Sequence, residues 1–255
     1  MAETKRPVVL ITGASSGIGE AVAERFARDA GRRWRLLLAG RDETRLGEVA
    51  RRTGGVALPG EDLDGLAGVE RLAARALEVA GRVDVLVASA GIGWAGPFTR
   101  TPPETVERLV AVNLTGVLQL VRLLLPGMVE RGVGRVVLVS SMAGCAGVAN
   151  EAVYAATKGG LLAFAESLRY ELAGTRVGVT SVMPGAVDTP FFARRGVPYH
   201  RTRPRPVPVG RLAELLWGAV VRGRDEVFAP RWLTVPARVR GAAPGFFRAM
   251  AKRFG

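Results

Sequence analysis

Tyr154 and Lys158 stand four residues apart in "EAVYAATKGG", in a chain whose only lysines are at 5, 158 and 252. In a helix, residues at i and i+4 share a face. A free phenol loses its proton near pKa ~10, and an ammonium beside it favours the phenolate. The pair is therefore expected to bring Tyr154 down by about 2–3 in pKa, roughly 3–4 kcal/mol, to where it can exchange a proton near neutral pH. Ser141 ends the apolar run "GRVVLVSS" just upstream and would hydrogen-bond and orient a substrate oxygen. This set can move a proton to or from an oxygen. It carries no electrons of its own, so redox chemistry would have to come from a bound cofactor.

Such residues need a frame that brings the end of one segment over the start of another. Short apolar runs alternate with longer stretches of helical spacing. Strands are expected at 7–13, 34–40, 83–91, 134–141 and 176–185, with a short one in "GVALPGEDLDG". Helices are expected at 19–31, 42–54 with Asp42 as N-cap, 66–81, 102–132 opened by prolines, and 151–174. The strands are apolar throughout rather than alternating, which means both faces are covered. With right-handed crossovers the pattern gives an α/β fold, a doubly wound parallel sheet with helices on both faces. In such sheets ligands bind beyond the carboxyl ends of the strands, where Ser141 falls.

The first strand runs straight into "TGASSGIG", with Gly13, Gly17 and Gly19 opening the first helix. Glycines there permit a tight turn and close approach of a pyrophosphate to the helix N-terminus. At the end of the second strand, "LLLAGRD" places Gly40 where a ribose-binding carboxylate is expected, followed by Arg41. An arginine suits a 2′-phosphate, which favours NADP(H); Asp42 keeps NAD(H) as the alternative. Asp62, in "GEDLDG", has the option of the adenine edge or of an ordinary turn carboxylate.

Five motifs in register, "TGASSGIG" (12–19), "ASAG" (88–91), Asn113 in "VNLTG", "SS…YAATK" (140–158) and "PGAVDT" (184–189), resemble the short-chain dehydrogenase/reductase family over roughly residues 7–230. The resemblance implies a Rossmann fold and an oxidoreductase passing hydride between nicotinamide and an alcohol/ketone pair. It implies Asn113, Ser141, Tyr154 and Lys158 as the catalytic set. Ser141 is chosen over Ser140 because the family serine lies thirteen positions before the tyrosine. Asn113 would hold a water linked to the lysine, and Lys158 would bond the nicotinamide ribose. Thr189 would meet the nicotinamide carboxamide with Val187 beside it. The implied cofactor contacts are Gly13, Ser15, Ser16, Gly17, Ile18, Gly19, Arg41, Asp62, Leu63, Ser89, Ala90, Gly91, Tyr154, Lys158, Pro184, Gly185, Val187 and Thr189. The family usually has "NNAG" where this chain has "ASAG"; Ser89 can still cap backbone groups there.

With 255 residues and 48% apolar content, one domain spanning 1–255 is expected. The segment 190–210, rich in Pro and Arg, reads as a substrate-binding loop. Trp94, Phe191, Phe192 and Tyr199 are expected to build an apolar pocket for a small hydrophobic carbonyl or alcohol. His200 reads as a solvated loop residue, and no metal site can be assembled around it. The single cysteine, Cys145, precludes an intramolecular disulfide and reads as core filler. No signal-peptide segment or uninterrupted apolar span is apparent, so a cytoplasmic protein is expected. The net charge of +13 is mostly arginine and is read as composition rather than nucleic-acid binding. The tail 230–255 mixes arginines with Phe246, Phe247, Met250 and Phe254, the composition of a segment lying on an anionic membrane surface or packed on a neighbouring subunit. A homo-oligomer, dimer or tetramer, is implied through helices 103–126 and 151–173. Two other readings stay open: a cofactor-binding sensor or scaffold with little chemistry, and dehydratase or epimerase chemistry on the same fold.

Overall fold

The computed structural model describes residues 6–31, 34–199 and 204–254, with 250–254 as backbone only. His200 and the side chains of Met250 and Phe254 lie outside the described residues. In chain order the elements are β1 (Val8–Thr12), α1 (Gly17–Ala27), β2 (Arg35–Gly40), α2 (Glu43–Thr53), β3 (Val56–Pro59), α3 (Leu66–Ala80), β4 (Val85–Ala88), α4 (Pro103–Val110), α5 (Gly116–Glu130) and β5 (Gly134–Val139). There follow α6 (Met142–Ala146), α7 (Ala152–Glu171), β6 (Val177–Pro184), β7 (Val187–Asp188), α8 (Phe191–Arg194), β8 (Val207–Pro208), α9 (Val209–Arg222), β9 (Glu226–Ala229), α10 (Thr234–Ala242) and α11 (Pro244–Phe254).

Seven strands form one parallel sheet in the order β3-β2-β1-β4-β5-β6-β9. The order reverses between β1 and β4, so a crevice opens at their carboxyl ends. The continuous apolar strands are explained by two cores. In β1, Val8 and Leu10 face the layer of α3, α5 and α7, while Val9 and Ile11 face the layer of α1, α2 and α9. Burying a side chain such as Leu10 or Ile11, both 0% exposed, contributes about 1.5–3 kcal/mol.

The helix expected over 102–132 is continuous from Pro103 to Glu130 but widens into a π turn at Ala111–Thr115. It is long and apolar enough to span a bilayer by length and composition, yet Val117, Leu120, Val121, Leu124 and Met128 pack into the sheet core. Asp42 does cap α2, its carboxylate accepting from the Arg45 N–H at 3.0 Å. Three features differ from the sequence expectation. A short helix, α6, follows β5 directly, because Gly144 lets its backbone approach that of Lys158: a Cβ there would fall 2.6 Å from the Lys158 carbonyl carbon. The 190–210 loop contains α8 and β8, which pairs with β7 just ahead of the loop. The tail beyond 230 is helical.

Candidate active site

The glycine turn after β1 is locked to the end of β4. Gly13 has φ +68°, and a Cβ on it would lie 2.9 Å from Ala90 Cα. Thr12 Oγ1 accepts from the N–H groups of Ser89 and Ala90 at 3.2 and 3.1 Å, and Ser89 Oγ donates to the Thr12 carbonyl at 2.5 Å. The substituted "ASAG" segment therefore closes the turn through its serine. Gly17, at φ +61°, faces Thr189 with only 3.4 Å to spare for a Cβ. Ser16 occupies the N-cap of α1 but makes no side-chain cap bond; its Oγ accepts from Arg194 Nη1 at 2.9 Å instead. The first turn of α1 thus opens on a cradle between Gly17 and Thr189. This cradle fits the pyrophosphate of a dinucleotide, which a helix N-terminus favours.

At the far end of this crevice, Gly40 leaves room for Ser15: a Cβ at 40 would meet Ser15 Oγ at 3.1 Å. Arg41 Nη1 donates to Asp62 at 3.2 Å, and Arg45 sits 3.4 Å from Asp42. Asp42 and Asp62 are each engaged by an arginine whose side chain is about half exposed. Leu63 is buried, its carbonyl pressed against Gly116. Ile18 packs into the core beneath α1.

At the carboxyl end of β5 the two serines diverge. Ser140 Oγ points inward and donates to the Lys158 carbonyl at 2.8 Å. Ser141 caps α6, accepting from the Ala143 N–H at 3.1 Å, and its hydroxyl stands near enough to Tyr154 to favour the phenolate. Lys158 is 5% exposed; its Nζ donates to the Val139 carbonyl at 2.9 Å and lies 5.8 Å from the Tyr154 ring centroid. Asn113, fully buried on the π turn, clamps the β4 loop: its Oδ1 accepts from the Ile92 N–H at 2.8 Å and its Nδ2 donates to the Ile92 carbonyl at 2.9 Å. Gly91 sits between these groups, since a Cβ there would lie 3.2 Å from Asn113 Oδ1 and 3.5 Å from Lys158 Nζ. The four residues Asn113, Ser141, Tyr154 and Lys158 thus converge on one corner, at the edge of the cradle.

The expected acidification of Tyr154 is not what this geometry gives. Burial is the largest influence and pushes the phenol up to about 12, against the opposing influence of Ser141. Burial likewise pushes the Lys158 ammonium down to about 8. The physical reason is that both groups are largely withdrawn from water, and desolvation penalises the charged form of each.

Over Tyr154 runs a chain of rings. Phe191 lies 5.6 Å from Tyr154 and 5.6 Å from Phe192, and Phe192 lies 5.1 Å from Tyr199, centroid to centroid. Trp94 instead folds over Gly96 of its own loop. Pro184 and Gly185 end β6, the Gly185 N–H bonding the Ala229 carbonyl at 2.8 Å, and Val187 is buried in the β7–β8 ladder. Thr12, Glu151, Arg194 and Arg195 also belong to this region, beyond the residues expected from the motifs. Thr12 was within reach as the polar residue ending a fully apolar strand. The ion pair of Arg195 with Glu151 had no sequence signal, being 44 residues apart in an arginine-rich chain.

A family model of the short chain dehydrogenase matches residues 7–197. An uncharacterized oxidoreductase of Myxococcus xanthus is 39% identical, the match covering 99% of each chain. The structure resembles a short-chain dehydrogenase from Sphingobium yanoikuyae in complex with NADPH, at 31% identity and TM-score 0.81, covering 94% of this chain and 95% of that one. It also resembles a short-chain dehydrogenase/reductase from Burkholderia phymatum in complex with NAD, at 26% identity and TM-score 0.82, covering 95% of both.

Proposed function

The chain belongs to the short-chain dehydrogenase family and is an NAD(P)-dependent oxidoreductase, and on that premise we propose that it uses NADP(H) to interconvert a hydrophobic ketone and its alcohol, with Tyr154 as the proton donor and acceptor. The observation that carries this reading is the buried Lys158 amine, held by the Val139 carbonyl 5.8 Å from the Tyr154 ring, with Ser141 near the phenol and the dinucleotide cradle alongside. When bound, the nicotinamide supplies or accepts the hydride. Ser141 and Tyr154 together hold the substrate oxygen. Tyr154, kept protonated by burial, hands its proton to that oxygen as negative charge develops on it. The buried Lys158 ammonium, still largely charged below about pH 8, stabilises the phenolate left behind.

The preference for NADP(H) rests on the end of β2. Gly40 offers no carboxylate, Asp42 is turned to its helix N-terminus, and Arg41 and Arg45 stand half exposed beside the crevice. A hydrophobic substrate is favoured because Phe191, Phe192 and Tyr199 line the approach to Tyr154. Homo-oligomerisation through helices 103–126 and 151–173 is supported by the apolar window of the long helix, of which only 44% is buried within this chain. A further partner is an anionic membrane surface, reached through the tail: α10 buries no residue, and Trp232, Val235 and Phe246 are more than half exposed among arginines.

The test is steady-state reduction of a panel of bulky neutral ketones with NADPH and with NADH. The reading expects turnover with kcat/KM at least about tenfold higher for NADPH, as a bound 2′-phosphate pairing with arginine implies. Cofactor binding without turnover of any ketone would support the sensor reading instead. Equal or better use of NADH would overturn the cofactor assignment alone.

A further inference from the structure

α8 is only four residues long and cannot hold itself in place by its own hydrogen bonds. Two consecutive arginines at its end fasten it to opposite sides of the site. Arg194 reaches the nucleotide turn at Ser16, 2.9 Å away. Arg195 pairs with Glu151, the residue that begins α7 three positions before Tyr154. The two side chains of this pair are 9% and 15% exposed. Arg195 Nε also donates to the Val197 carbonyl at 3.0 Å, and its guanidinium lies 4.6 Å over the Phe192 ring. On its other side the segment presses on Gly93, where a Cβ would meet Phe191 Cζ at 2.6 Å and Arg195 Cβ at 3.1 Å. The carbonyl of Asn150 accepts from the Gly96 N–H at 2.8 Å, so the start of α7, the 92–96 loop and α8 form one joined wall.

We propose that Glu151 and Arg195 are a positioning pair that holds α8, and with it Phe191 and Phe192, against Tyr154, and so sets the affinity for a hydrophobic substrate without touching the reacting atoms. This rests on the oxidoreductase reading above. A nearly buried arginine among aromatic rings is tolerated only with its counter-charge. Remove Glu151 and the guanidinium is drawn toward water, taking α8 with it. Phe191 then leaves Tyr154, and the pocket loses its wall while the proton-transfer groups stay where they are. Because each charge of the pair neutralises the other, the side of the wall nearest Tyr154 presents rings, which suits a substrate apolar next to the reacting carbonyl.

The experiment compares the wild-type chain with Glu151→Gln, Arg195→Met and the double variant, by hydrogen exchange and by steady-state kinetics on a neutral bulky ketone with NADPH. The amides to follow are those of Arg194, Arg195 and Gly196, bonded to the carbonyls of Pro190, Phe191 and Ala193 at 3.0, 3.0 and 3.2 Å. Each single variant should speed exchange at these amides about tenfold while the β5 amides of Val136–Leu138 are unchanged. KM should rise about tenfold with kcat within about threefold, the mark of lost binding rather than lost chemistry. The double variant should be no worse than the worse single one, because no unpaired charge remains. Unchanged α8 exchange in both single variants, or strictly additive effects in the double, would overturn the proposal. A wild-type chain that turns over no ketone defeats the functional reading, while the exchange data still decide whether the pair holds α8.

Discussion

Tyr154 and Lys158 are both largely buried, and burial drives their proton affinities in opposite directions, the phenol up to about 12 and the ammonium down to about 8. The consequences for stability have opposite signs. Between about pH 8 and 10.5 the folded chain has released a proton at Lys158 that the unfolded chain keeps, so stability rises with pH across that window. Between pH 10 and about 12 the folded chain keeps the Tyr154 proton that the unfolded chain loses, so stability falls there. Below about pH 8 the full cost of the buried ammonium is borne. Lys158→Met should therefore be more stable than wild type at pH 7, by up to about 3 kcal/mol, with the advantage shrinking as pH approaches 10.5. Chemical denaturation at both pH values measures this; a Met variant less stable than wild type at pH 7 would contradict it. The residue types and spacing were legible in the sequence. The direction of the tyrosine's shift was not, because an i,i+4 pair reveals proximity but not how completely the surrounding elements exclude water.

At the scale of elements, the site depends on the π turn at Ala111–Thr115 and on the loop after β4 that it holds. Asn113 satisfies both backbone groups of Ile92, and through them fixes the loop beside Gly91 and Lys158. Asn113→Ala leaves a partly buried N–H and carbonyl without these partners, each costing about 1–3 kcal/mol. The expected outcome is a loss of roughly 2–5 kcal/mol in urea unfolding. NADPH affinity should fall as well, since the clamped loop borders the cradle; unchanged stability would show that Ile92 is held by other means. The sheet, its helices and the glycine turn were legible because period and punctuation are local: continuous apolar strands, Asp42 before α2, Gly13 before α1. α6, α8 and the β7–β8 ladder were not. Each is set by a distant contact, such as Gly144 against the Lys158 backbone or Val187 beside Val207.

For the molecule as a whole, the charge is unevenly spent. Residues 230–255 carry six basic residues and no acidic one, within a chain of net charge +13. On α10 and its neighbouring turn those arginines alternate with exposed Trp232 and Val235, and α11 carries the exposed Phe246 beside Arg248. Removal of residues 243–255 should leave the unfolding midpoint of the sheet unchanged, because among the described residues the two cores contain none from that stretch. It should also reduce co-sedimentation with vesicles containing phosphatidylglycerol, with neutral phosphatidylcholine vesicles binding neither form. Equal sedimentation of both forms would remove the tail from any membrane role, and a change of oligomeric state on truncation would assign it to a subunit contact.

Single-turnover reduction of a neutral bulky ketone by bound NADPH tests most directly whether Tyr154 is the proton donor. Tyr154→Phe keeps the ring against Phe191 and removes only the hydroxyl. The expected result is NADPH affinity within about threefold of wild type and a hydride-transfer rate lower by about a thousandfold or more, the scale of general-acid catalysis lost together with oxygen positioning. A Phe variant that reduces the ketone at a rate close to wild type would contradict it.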